Sequence, residues 1–129
     1  MLLAILDEQH VRVTFDDDEA GLTIQGEPLG ALQMLAASLA LCSGAVAQEY
    51  AATSQFHLHD LAIDVRWTYA DRPYRVDQIG MTLQIGPEVP PSRRQALVRA
   101  IEAQCPVHNT LSHGTTIETT LEVSGAQQA

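Results

Sequence analysis

The stretch Leu29-Gly-Ala-Leu-Gln-Met-Leu-Ala-Ala-Ser-Leu-Ala-Leu-Cys-Ser-Gly-Ala-Val-Ala-Gln-Glu-Tyr-Ala-Ala52 decides the fold. It reads as one helix, entered through Gly26-Glu27-Pro28, with the proline acceptable in a first helical turn. A helix of that length runs roughly 36 Å. Apolar residues wrap almost all the way round it up to Val46, so it cannot lie on one sheet with its back to water. It must be sandwiched, yet the chain holds only one other sizeable helix. A second copy of the chain would supply the cover, so the pattern predicts a dimer. From Pro28 to Gln48 no residue is charged, and such a run matches the about 20 residues that span a bilayer. However, it is rich in Ala, Ser and Gly, contains Gln33, and is flanked by the acids Glu27 and Glu49 with no Arg or Lys beside it. A buried helix of a soluble, cytoplasmic protein is the expectation, with no membrane partner.

Working outward toward the N-terminus, three short runs read as strands. Leu2 to Leu6 is apolar, His10 to Phe15 places Val11, Val13 and Phe15 on one face, and Leu22 to Gln25 continues the pattern. The cluster Asp16-Asp17-Asp18-Glu19 reads as a solvated turn; the ligand spacing and glycine of a calcium loop are missing. The opening Met1 to Leu6 has no basic leader and runs into Asp7 and Glu8, unlike a secretory segment.

On the other side of the helix lies the clearest strand pattern. Leu61, Ile63, Val65, Trp67 and Tyr69 alternate with Ala62, Asp64, Arg66 and Thr68. The turn Ala70-Asp71-Arg72-Pro73 leads to a second run with Ile79, Met81, Leu83 and Ile85 on one face, predicting an antiparallel hairpin over about 61–85. Pro87, Pro90 and Pro91 end it. Ser92 with Gln95 makes a capping box for an amphipathic helix over about 93–104. A break at Cys105-Pro106 precedes a short helix over about 106–112. A last alternating strand over about 115–123, carrying Ile117, Thr119, Leu121 and Val123, closes the domain, and the tail from Gly125 is expected to fray. The whole is a single α+β domain over 1–129, with a mainly antiparallel sheet and helices on one side.

Bulk properties exclude several functions. The chain of 129 residues is 46% hydrophobic and 18% charged, which is globular and long enough to bury a core. Its formal net charge is −9, and its seven basic residues are all Arg, so nucleic acid is not an expected partner. No Gly-rich phosphate loop, Gly-x-Ser-x-Gly elbow or glycosidase-type acid pair is present.

Chemistry therefore rests on two cysteines. Pro106 suits the first position of a helix, which makes Cys105 its N-cap, where free amides and the helix dipole favour a thiolate. The plainer reading is that Cys105 ends the preceding helix and packs inward. Cys42 sits mid-helix beside Ser38, Leu39, Ala45 and Val46, where desolvation makes a thiol inert unless a cation approaches. With no lysine in the chain, that cation would be an Arg; otherwise Cys42 is a core residue. Cys105, His108 and His113 have half of a zinc-site spacing, needing a further ligand from Cys42, His57, His59 or a carboxylate. No second paired motif supports a metal, so none is expected, nor any other cofactor. His57 and His59 are expected as surface residues on a strand face, and His10 carries no signal.

The segment Gly30 to Cys42, together with Gln104-Cys105-Pro-Val-His-Asn-Thr-Leu111, resembles the OsmC/Ohr family. The resemblance spans roughly residues 26–124. It implies an intertwined homodimer with long helices packed back to back and active sites between subunits. It also implies a thiol peroxidase for organic hydroperoxides, active in the response to oxidative stress. Cys42 would match the peroxidatic cysteine and Cys105 the resolving one, with a dithiol such as a lipoyl group as reductant. Family peroxidases place an arginine and a glutamate beside the peroxidatic thiol. Arg12 is the N-terminal candidate for the arginine. Where the glutamate stands, nearly three helical turns before Cys42, this chain has Leu32 and Gln33; Glu27 is the nearest upstream acid. That departure motivates an alternative, a non-catalytic dimer of the same fold holding a small apolar molecule at the subunit interface.

Overall fold

The structure, a computed structural model, describes residues 1–16 and 21–125. Most of the acidic turn expected over 16–19 and of the tail beyond Gly125 lies outside the described residues. The element order is β1 (Leu2–Asp7), β2 (His10–Thr14), β3 (Thr23–Gln25), α1 (Ala31–Thr53), β4 (Ala62–Asp71), β5 (Tyr74–Gln84), α2 (Pro91–Gln104) and α3 (Pro106–His113). The strands form one sheet in the order β3-β1-β2-β4-β5, antiparallel except for the β1–β3 edge pair. This is an α+β fold built around one long helix.

Register divides the sheet into two chemically different faces. Val11 pairs with Val65 and Val13 with Ile63, and all four are fully buried toward the helices. Their neighbours alternate to the other face. There Arg12 pairs with Asp64 and His10 with Arg66. The period-two pattern thus delivers an apolar floor for α1 and a polar outer surface from the same strands.

α1 meets that floor through its small residues. Ala36, Ala40, Ser43, Gly44, Ala47 and Ala51 are buried, which lets the helix axis approach the strands closely. Gly44 is required at the closest point, because a Cβ there would overlap the Phe15 ring. The larger apolar side chains point elsewhere: Leu32, Leu35, Leu41 and Val46 are half-buried and Met34 is 54% exposed. α2 and α3 cover part of α1, and a strip of large apolar residues stays open. By length and composition α1 would also pass as a membrane span, but its small-residue face is the centre of the domain core.

Two expected local features differ. The helix α2 begins at Pro91, with Pro90 as its cap and no side-chain capping bond, so the Ser92–Gln95 box does not form. Proline fixes the φ that a first helical turn needs, and the pair Pro90-Pro91 starts the helix before Ser92 can cap it. Residues 114–123 carry no strand, and Ile117, Leu121 and Val123 stand 84%, 89% and 65% exposed. A strand exists only where a neighbouring edge accepts its hydrogen bonds, and this stretch meets none among the described residues.

Candidate functional site

Cys105 closes one helix and opens the next. Its N–H donates to Ile101 O at 2.9 Å as the last bond of α2, and its carbonyl accepts from Asn109 N at 3.0 Å as the first of α3. Pro106 takes the first helical position, where a missing N–H costs nothing. The side chain therefore turns back over the α3 N-terminus, and Cys105 Sγ accepts the His108 N–H at 3.4 Å. The thiol is fully buried.

α1 brings the second thiol to the same point. Cys42 is half-buried, and the Cys105 thiol and the Val107 amide are near enough to influence the ionisation of its thiol. Both cysteines are free. Burial pushes the Cys42 thiol above its ordinary pKa; the Val107 amide opposes that, and the neighbouring Cys105 adds to it. The start of α3 thus lies beside both sulfurs, and its His108 amide bonds one of them. The next residue on α1, Ser43, is fully buried with its hydroxyl 3.7 Å from Cys105 Sγ.

Arg12 does not join this cluster within the subunit. It lies on the outer face of the sheet, where its Nε donates to Asp64 Oδ1 at 3.0 Å. Asp64 is almost completely buried, and the same oxygen meets His10 Nε2 at 2.7 Å. A buried carboxylate needs such partners, which is what His10 and Arg12 supply. Gln33 is also committed to structure. Its Oε1 accepts the Gly30 N–H at 2.9 Å, and its Nε2 donates to Glu8 O at 2.7 Å, tying the start of α1 to the β1–β2 turn.

The histidines do not gather around a metal. Among the described residues no group of three or more His, Cys, Asp or Glu side chains is placed to hold an ion. His57 and His59 stack with centroids 5.2 Å apart in the segment before β4, outside any strand. His113 Nδ1 lies 3.0 Å from Asn109 O at the end of α3. His108 is different: it lines a groove of about 920 Å³ between α1, β5, α2 and α3, and its buried Nδ1 has no hydrogen-bond partner among the described residues. Leu32, Leu35, Leu39, Ile79, Met81 and Leu83 make most of the apolar wall of that groove.

A long helix lies on a mainly antiparallel sheet, and two free cysteines stand near the N-terminus of α3. Residues 24–120 match the model of the OsmC-like protein family, and the chain belongs to that family. Solved structures agree in fold. An OsmC-like hydroperoxide resistance protein from Jannaschia sp. CCS1 superposes with a TM-score of 0.61 at 22% identity, covering 78% of this chain and 73% of its own. An OsmC-like protein from Mycoplasma pneumoniae gives 0.60 at 20% identity, covering 84% and 89%. No curated protein shows a significant match to the chain.

Proposed function

We propose that this chain is a cytoplasmic thiol peroxidase that reduces organic hydroperoxides through a Cys42/Cys105 dithiol–disulfide cycle. The observation that carries this reading is the placement of two free thiols near one another at the N-terminus of α3. The half-buried Cys42 is the thiol that a substrate can reach, and the enclosed Cys105 is the one that waits. The Cys42 thiolate attacks the outer oxygen of the hydroperoxide. The O–O bond breaks, the alkoxide leaves and takes a proton to become the alcohol, and Cys42 becomes a sulfenic acid. The Cys105 thiol then displaces hydroxide from that sulfur, and its proton leaves with the hydroxide as water. A dithiol, such as a lipoyl group, reduces the resulting disulfide by two successive exchanges.

Activation of Cys42 is the demanding part, because its burial opposes ionisation. The Val107 amide supplies one favourable contact, with the positive end of α3 behind it. A guanidinium at this thiol would have to come from a second subunit. A homodimer is supported by the open apolar strip of α1 and the exposed alternating stretch over 115–123. The test is turnover: the reduced protein should consume an organic hydroperoxide with dihydrolipoamide as the electron source, and Cys42→Ser should abolish it. Equal turnover by the variant would overturn the assignment.

A second reading, a non-catalytic dimer binding a small apolar molecule, draws on the groove beside α3 and the unpartnered His108 Nδ1. Gln33, neutral and tied to the backbone, fits either reading. Thermal stabilisation by an apolar ligand, unchanged in Cys42→Ser, together with no peroxide turnover, would favour this one.

A further inference from the structure

Ser43 has a role that helix formation does not explain. The inward face of α1 is otherwise built from alanine and glycine at Ala36, Ala40, Gly44 and Ala47. Alanine is the better helix former, and a buried hydroxyl costs free energy unless it is hydrogen-bonded. Ser43 is 0% exposed, and its one hydrogen-bond partner among the described residues is Cys105 Sγ at 3.7 Å. That sulfur also accepts the His108 N–H. Cys105 Sγ thus has a second hydrogen-bond partner, and that partner is the residue adjacent to Cys42 in the chain.

We propose that Ser43 is a positioning residue for the resolving step, which rests on the dithiol reading above. Its O–H donates to Cys105 Sγ and steadies the negative charge that Cys105 carries as it attacks. In the step itself the Cys105–Cys42 S–S bond forms and the S–O bond of the Cys42 sulfenic acid breaks. Hydroxide leaves with the Cys105 proton as water, so Cys105 is oxidised and the Cys42 sulfur is reduced with no outside electron source. Ser43 keeps its own proton and acts only through Cys105.

The test is the pH profile of disulfide closure in Ser43→Ala, followed by single-turnover kinetics after Cys42 has been oxidised. Loss of one hydrogen bond to a developing thiolate should slow closure by roughly fivefold on the acid side of the profile. On the alkaline side the variant should converge with wild type. Formation of the Cys42 sulfenic acid, measured in a Cys105→Ala background, should change by less than about twofold on adding Ser43→Ala. An unchanged closure profile, or slowing by the same factor at every pH, would overturn the proposal; uniform slowing is the mark of a merely displaced helix. Closure driven by diamide instead of peroxide reads the same profile. If peroxide never oxidises Cys42, the peroxidase reading fails while the diamide profile still decides the role of Ser43.

Discussion

Cys42 carries opposite influences at a single sulfur. Burial raises its pKa and the Val107 amide lowers it, with burial the larger. Only the thiolate attacks a peroxide, so a raised pKa makes the reaction slow at neutrality and faster as pH rises. For one subunit acting alone, Cys42 oxidation should climb about tenfold per pH unit. The profile should bend only above 9.0, the ordinary value for a thiol. A stopped-flow profile that bends well below that value would mean that a cation reaches Cys42 from another subunit. Replacing Cys105 by Ser should leave the first step intact and strand Cys42 as a sulfenic acid that dimedone traps; an untrapped, unmodified Cys42 would contradict the assigned order of the two thiols. At this scale the motif around each cysteine was readable in the sequence, including the N-cap at Cys105. The partners of Asp64 were not, because His10 and Arg12 meet it only through the β2–β4 register. Nor was the tether made by Gln33, whose side chain bonds a backbone carbonyl 25 positions earlier.

At the scale of elements, α1 works because its two sides differ in size more than in polarity. The small side packs under the sheet, and Phe15 fills the space that Gly44 leaves. Gly44→Ala should gain helix propensity yet lose stability overall, by about 1–3 kcal/mol, because the Phe15 ring must move. Equilibrium denaturation checks this, and a stabilised variant would show that the close approach is not needed. A reading of hydrophobic pattern alone sees an all-round apolar helix; it does not see that the inward face is the one with the least volume. α3 depends on the same economy of sequence. Cys105 serves as the last residue of one helix turn and the cap of the next, and Pro106 makes the break sharp. The sequence pattern marked that break correctly, whereas the start of α2 was obscured by a Ser–Gln pair that two preceding prolines render idle.

At the scale of the whole molecule, the subunit is unfinished in two places. Large side chains of α1 stay open, and the alternating stretch over 115–123 extends without a strand neighbour. Its period-two pattern was legible, but the edge that would receive it is not a property of one chain's sequence. If that stretch joins a second copy, removing everything after Gly114 should lower the mass measured by light scattering from two subunits to one. An unchanged mass would place the dimer contact on α1 alone. The dithiol itself is the centre of the account, and intact-mass analysis tests it most directly. Reduced protein treated with a stoichiometric organic hydroperoxide should become lighter by two hydrogens, with a peptide map joining Cys42 to Cys105 and dihydrolipoamide restoring the original mass. A protein that never loses those hydrogens, or a Cys42→Ser variant that still does, would contradict it.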